Sequence, residues 1–149
     1  MGAGTFGCPM NGIAFTPKRL AFWRACIKLC LPIYKWGYYF QLHAKRNESS
    51  NTMNIVNSIS IGTDSSIIEQ GKIYKSSTPK KGGIAGKYST ISSTIINYQT
   101  SDLLQGELKI TKFDETNRIV SGTFWFDGVN TNGEKVQVQE GRFDMHYTL

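Results

Sequence analysis

The strongest constraint in this chain is a period of two. In ELKI (107–110), TFWFD (123–127), KVQV (135–138) and RFDMHY (142–147) apolar residues recur at every second position. Side chains alternate between the two faces only in an extended strand, so these segments must be strands with one face buried. The same alternation begins earlier, in WGYYFQLHAK, where Tyr38, Phe40, Leu42 and Ala44 share one face and Tyr39, Gln41, His43 and Lys45 the other. Strands are therefore expected to include 37–45, 105–113, 119–127 and 135–147. Within SGTFWFD, Phe124 and Phe126 must point one way, into the core, and Trp125 the other.

Two irregularities refine this pattern. Val136 and Val138 are even-numbered, whereas Phe143, Met145 and Tyr147 are odd. A slip of one residue would turn half the strand inside out, so a bulge is expected across Glu140 and Gly141. A similar disturbance near Val56 and Asn57, in MNIVNSISIG, is read the same way. Gly106, Gly122 and Gly141 each precede an alternating apolar pair, and glycine inside a strand marks a bend, a bulge or a close backbone approach.

The N-terminal TFGCPMNGIAFTP reads as a hairpin turning at Asn11-Gly12, the dipeptide that suits a type I′ turn. Pro9 and Pro17 place it at a sheet edge. NESSN and TPKKGG are turns by composition, and TDSSIIEQGKIYKS is read as two short strands around Gly71. Residues 18–35 differ: Leu20, Trp23, Ile27 and Leu31 follow a helical stripe that Pro32 ends, so one short amphipathic helix is possible at residues 19–31, with two short strands as the alternative. At 149 residues the expectation is a single domain over 1–149. It is all-β, of about nine or ten antiparallel strands, arranged as a β-sandwich or a flattened barrel.

Charge is unevenly spread. Residues 1–46 carry seven basic side chains and no acidic one, whereas residues 102–149 hold eight acidic and five basic. With the aromatics between Lys18 and Arg46, the basic end makes a candidate binding surface of Arg24, Lys28, Lys35 and Trp36. It suits an anionic glycan or lipid headgroup better than nucleic acid. No segment has the length of apolar chain a membrane helix needs, and MGAGTFGCPMNG lacks the basic start and apolar core of a signal peptide.

Catalytic and cofactor signals are weak. Gly2, Gly4 and Gly7 spell a G-x-G-x-x-G, but no strand precedes them and no helix starts there, so they do not form a dinucleotide site. Asp114, Asp127 and Asp144 each follow a phenylalanine at a strand end and could line one rim as hydrolytic carboxylates; capping of turns is the competing reading. His43 and His146 are read as surface histidines. Cys8, Cys26 and Cys30 are best read as buried thiols, and a disulfide, if formed, would join Cys8 to one of the other two. No metal or cofactor site is expected.

The opening FGCPMNGIAFTPK, with the closing GELKITKFDETNRIVSGTFWFDGVN and VQVQEGRFDMHY, resembles a group of uncharacterised lipoproteins from Bacteroidota. That resemblance implies a bacterial cell-envelope protein anchored by lipid through a cysteine upstream of residue 1, a segment expected to be absent from this chain. It implies no activity. The function it supports is a non-catalytic domain that binds an envelope protein, a glycan or a small apolar ligand; the alternatives are a hydrolase using the carboxylate rim and a nucleic-acid binder using the basic end.

Overall fold

The computed structural model describes residues 4–17, 40–49, 53–64 and 66–147. These form ten antiparallel strands and no helix: β1 (Thr5–Met10), β2 (Ile13–Phe15), β3 (Gln41–Ser49), β4 (Asn54–Thr63), β5 (Ile73–Ser76), β6 (Ile84–Ile91), β7 (Ile95–Gln99), β8 (Gly106–Asp114), β9 (Ile119–Val129) and β10 (Lys135–His146). The possible helix at 19–31 lies outside the described residues. All ten strands belong to one sheet whose main path runs β2-β1-β10-β9-β7-β6-β4-β3.

The branch point is β9. One of its edges pairs with β10 along its length. Its other edge is shared, with β8 over Ile119–Phe126 and with β7 only at Val129, opposite Gln99. The short β5 hangs from the far side of β8.

This sheet curls on itself without closing into a barrel. Seven strand steps separate β2 from β3 along the path, which would span about 34 Å if flat. Yet Arg46 of β3 donates from Nη1 to the Ala14 carbonyl of β2 at 3.0 Å, and its guanidinium sits 5.1 Å from the centre of the Phe15 ring. Phe40, beside β3, likewise meets Phe143 of β10 with ring centres 6.2 Å apart. No backbone ladder joins β2 to β3 among the described residues, so a side chain bridges the seam. Arg46 follows Leu42 and Ala44 on the core-facing side of β3, is only 16% exposed, and pairs with Glu48. Losing a mostly buried charged donor leaves the Ala14 carbonyl and Glu48 without it. Arg46→Ala is expected to destabilise the domain by about 1–3 kcal/mol and to speed amide exchange in β2 while β9 stays protected. Mass-spectrometric hydrogen exchange reads both ends of that comparison.

The core lies inside the curl. Phe6, Phe15, Phe40, Phe124, Phe126 and Phe143 are all buried there with the aliphatic residues of β3, β4, β8 and β9. Phe6 stacks on Phe124 at 5.4 Å and meets Phe15 edge-on at 6.3 Å. The expected orientation in β9 holds: Phe124 is 2% and Phe126 0% exposed, against 42% for Trp125.

Asn11 and Gly12 both have positive φ, 47° and 78°, as a type I′ hairpin requires. The register between β9 and β10 shifts between Val138 and Gly141, and Glu140 has φ of 46°, so the bulge read from the change of parity is present. The bulge expected near Val56 and Asn57 is not. Both ladders of β4 run through these residues without a shift. What disturbed the pattern is a polar residue on the buried face: Asn57 is 6% exposed and accepts a 2.8 Å hydrogen bond from the Tyr88 hydroxyl. A satisfied buried amide interrupts an apolar pattern without adding a residue. The segment around Gly71 gives one strand, β5, rather than two; before it, the Tyr74 hydroxyl accepts from the Glu69 amide and donates to the Ile67 carbonyl, which holds that chain as a loop.

Candidate functional site

The alternation that buries Phe124 and Phe126 leaves Trp125 on the outer face of β9. On one side it pairs with Glu107 of β8. On the other it faces the β10 bulge, where Gln139 and Glu140 occupy the space between the paired Val138 and Gly141. One rung away, Thr123 pairs with Lys109 on β8 and Arg142 on β10. Together Glu107, Thr123, Trp125, Gln139, Glu140 and Arg142 line a shallow groove of about 410 Å³. The bulge shapes the groove: the extra residue carries Gln139 and Glu140 out of the regular ladder beside Trp125.

This site combines a large exposed π face with hydrogen-bonding groups of both kinds. Gln139 donates and accepts, Thr123 does the same, Arg142 donates, and Glu107 and Glu140 accept. Two carboxylates against one guanidinium make a lining with no positive excess.

A slightly larger concavity, about 440 Å³, is bordered by Phe40, Gln41, Gly62, Asp64, Lys80 and Lys87. Among the described residues it has no exposed aromatic.

The residues expected to form a binding surface, Arg24, Lys28, Lys35 and Trp36, lie outside the described residues. The three strand-end aspartates are not gathered on one rim. Asp144 pairs across from Ser121 and accepts its hydroxyl at 2.7 Å, at the start of β9. Asp127 pairs with Gln137 near the other end of that strand, about 20 Å away along the ladder. Asp114 caps the turn into β9, accepting from the backbone and side-chain nitrogens of Asn117, both at 2.9 Å. Those bonds, with the nearby Lys112 ammonium, hold its carboxyl below the usual range. That is the turn-capping role, realised.

His146 is exposed at the end of β10, whereas His43 is half-buried on the outer face of β3, opposite Ser60. Burial, reinforced by the like charge of Lys45, lowers the His43 imidazole below its ordinary value. Cys8 is a free thiol, as the buried-thiol reading expects, pushed up to about 12 by burial although Arg46 opposes that shift. Such a thiol is protonated and inert at neutral pH. Among the described residues no group of three or more His, Cys, Asp or Glu side chains could hold a metal ion.

Alternation had already assigned Trp125 to the outer face; what sequence reasoning missed is the groove around it. The groove depends on which residues of β8 and β10 stand opposite, and pairing across strands is non-local.

The described residues form a small all-β domain, a curled antiparallel sheet with a filled aromatic core and a shallow groove around Trp125 on its outer surface. The chain belongs to the domain of unknown function family DUF6252, whose model matches residues 49–145. That span includes β4 to β9 and nearly all of β10, and so the whole Trp125 groove; the β1-β2 hairpin falls before it. No curated protein and no solved structure matches the chain.

Proposed function

We propose that this is a non-catalytic binding domain of the bacterial cell envelope and that its ligand is a neutral glycan laid across Trp125. The observation that carries this is the exposed Trp125 indole at the centre of a groove lined by Glu107, Thr123, Gln139, Glu140 and Arg142. A sugar ring presents an apolar C–H face and a rim of hydroxyls. An exposed indole covers the first, and side chains that donate and accept at its edge satisfy the second. The balance of charges in the groove favours a neutral chain over an acidic one. A small apolar ligand fits less well, because the interior is filled by phenylalanine rings and the groove is open. The envelope location rests on the resemblance of both ends of the chain to Bacteroidota lipoproteins. The non-catalytic reading is supported by the structural partners of the strand-end carboxylates, Asn117 for Asp114 and Ser121 for Asp144.

Shallow single-platform sites bind weakly, with dissociation constants on the order of 0.1–1 mM. Native electrophoresis through gels containing soluble mannan, xylan, glucan or chitosan-free chitin oligomers tests the proposal. Retardation by at least one neutral polysaccharide is expected, falling tenfold or more for Trp125→Ala with an unchanged melting temperature. Equal retardation of the variant, or retardation by none, would overturn it. Salt-sensitive retention on heparin abolished by replacing Arg24 and Lys28 with glutamine would instead place binding on the basic N-terminal segment.

A further inference from the structure

The groove around Trp125 does not end at β10. A second hollow, of about 390 Å³, lies over the β1-β2 hairpin, and Glu140 and Arg142 line both. Strand pairing sets the two side by side. Arg142 stands between Thr123 of β9 and Gly7 of β1, and Pro9 of β1 pairs with Ala14 of β2. Gly7, Pro9, Ala14 and Thr16 line the second hollow. Their neighbours in the chain, Phe6, Cys8 and Phe15, are buried in the core, so alternation turns these four outward, onto the face that carries Trp125.

Elsewhere in this sheet glycine is forced by space. A Cβ on Gly106, Gly122 or Gly141 would come within 2.2–2.5 Å of backbone or side-chain atoms. At Gly7 a Cβ would meet no heavy atom closer than 3.8 Å, and its φ is not in the left-handed region. The fold therefore admits a side chain at this position, and glycine there keeps the floor beside Arg142 open. The joined trough runs across the strands rather than along them. From β9 through β10 and β1 to β2 is three steps of the sheet, about 14 Å, which is longer than a single sugar ring.

We propose that the two hollows are one extended site for a linear neutral oligosaccharide, with one ring on Trp125 and the following rings crossing Arg142 to the β1-β2 hairpin. This rests on the reading of Trp125 as a glycan platform and adds the length and path of the ligand. Two observations select the occupant. β9, β10 and β1 each have a partner strand on both sides, so a peptide lying in the trough finds no sheet edge to join and loses the main-chain bonds that give such ligands their affinity. A glycan needs none: the Pro9 ring and the Ala14 methyl offer apolar contact to C–H faces, and Arg142 and the Thr16 hydroxyl bond to ring hydroxyls. The charged residues lining the two hollows are Glu107, Glu140 and Arg142, a balance that suits an uncharged chain.

Chemical-shift titration of the nitrogen-labelled full chain tests this, with gluco-, xylo-, manno- and N-acetylchito-oligosaccharides from disaccharide to hexasaccharide as probes. Disaccharides of at least one series are expected to move the Trp125 indole signal alone. Longer members should also move the Gly7 and Thr16 amides and bind about tenfold or more tightly, because each further contact along one chain is intramolecular. Gly7→Leu is expected to keep the disaccharide affinity and lose the gain with length. Ala14→Leu, which fills the same trough from an exposed position on β2, should do the same. Gly7 and Thr16 signals that stay fixed while Trp125 responds to a hexasaccharide would overturn the extended site and leave the platform reading standing, as would an undiminished gain with length in both filled variants. A Trp125 signal that answers to no oligomer would overturn both.

Discussion

Phe126→Ala is expected to cost about 3–5 kcal/mol of folding stability, while Trp125→Ala, one residue away, costs less than about 1 kcal/mol. The two side chains differ in environment, not in strand. Phe126 is fully buried, and its ring lies where a Cβ on Gly86 of β6 would come within 2.5–2.9 Å of it. Its own Cβ occupies the space that a side chain on Gly106 of β8 would need, at 2.4 Å. One phenylalanine thus fills the vacancies left by two glycines on two strands. Truncating it opens a cavity that neither glycine can refill, and a site that cannot collapse carries the full cost of the void. Trp125 loses contact only with groove residues that water reaches. Urea unfolding should show the Phe126→Ala midpoint lowered by about 2 M with an unchanged slope, and the Trp125→Ala midpoint shifted by less than about 0.5 M. Equal shifts for the two variants would mean that the outer face of β9 is as covered as the inner one.

How much of this could be read from the sequence depends on how local the information is. Which way Phe124, Trp125 and Phe126 point follows from the strand period alone. The bulge at Glu140 follows from a change of parity between Val138 and Phe143, again a property of one strand. The Asn11-Gly12 turn follows from dipeptide chemistry. Reading Asn57 as a bulge failed because a polar residue facing the core and an inserted residue leave the same trace in a hydropathy pattern; only the partner, Tyr88, distinguishes them, and it lies on another strand. The fork at β9 was not legible for the same reason, since no local pattern says that one edge will serve β8 along most of its length and β7 at Val129. The candidate site inherits that limit. Trp125 could be assigned to the outer surface, but Glu107 and Gln139 become its neighbours only through the registers of β8 and β10. The arginine that bridges β3 to β2 was, in sequence, one of seven basic residues in the first 46.

A glycine before an alternating pair marks a bend, a bulge or a close backbone approach, and at Gly122 it is the close approach. A Cβ built there would stand 2.2 Å from the Lys109 carbonyl oxygen of β8 and 2.7–2.9 Å from the Phe143 ring of β10. Its φ is not in the left-handed region, so the requirement for glycine is spatial rather than conformational. Two obstacles act at once. The ring can swing away at the expense of core packing, but the carbonyl belongs to the β8 backbone and moves only if the ladder moves. Gly122→Ala is therefore expected to destabilise by about 3 kcal/mol or more, at the upper end of overpacking costs. Gly7→Ala provides the contrast: its Cβ would meet nothing closer than 3.8 Å, and the change should stay within about 0.5 kcal/mol. Adding Phe143→Leu to Gly122→Ala separates the obstacles, because it frees the ring side and leaves the carbonyl in place. Partial rescue in thermal unfolding is expected. Full rescue would assign the constraint to the ring alone, and no rescue would assign it to the β8 backbone, where the sheet is too tightly coiled to admit even a methyl group.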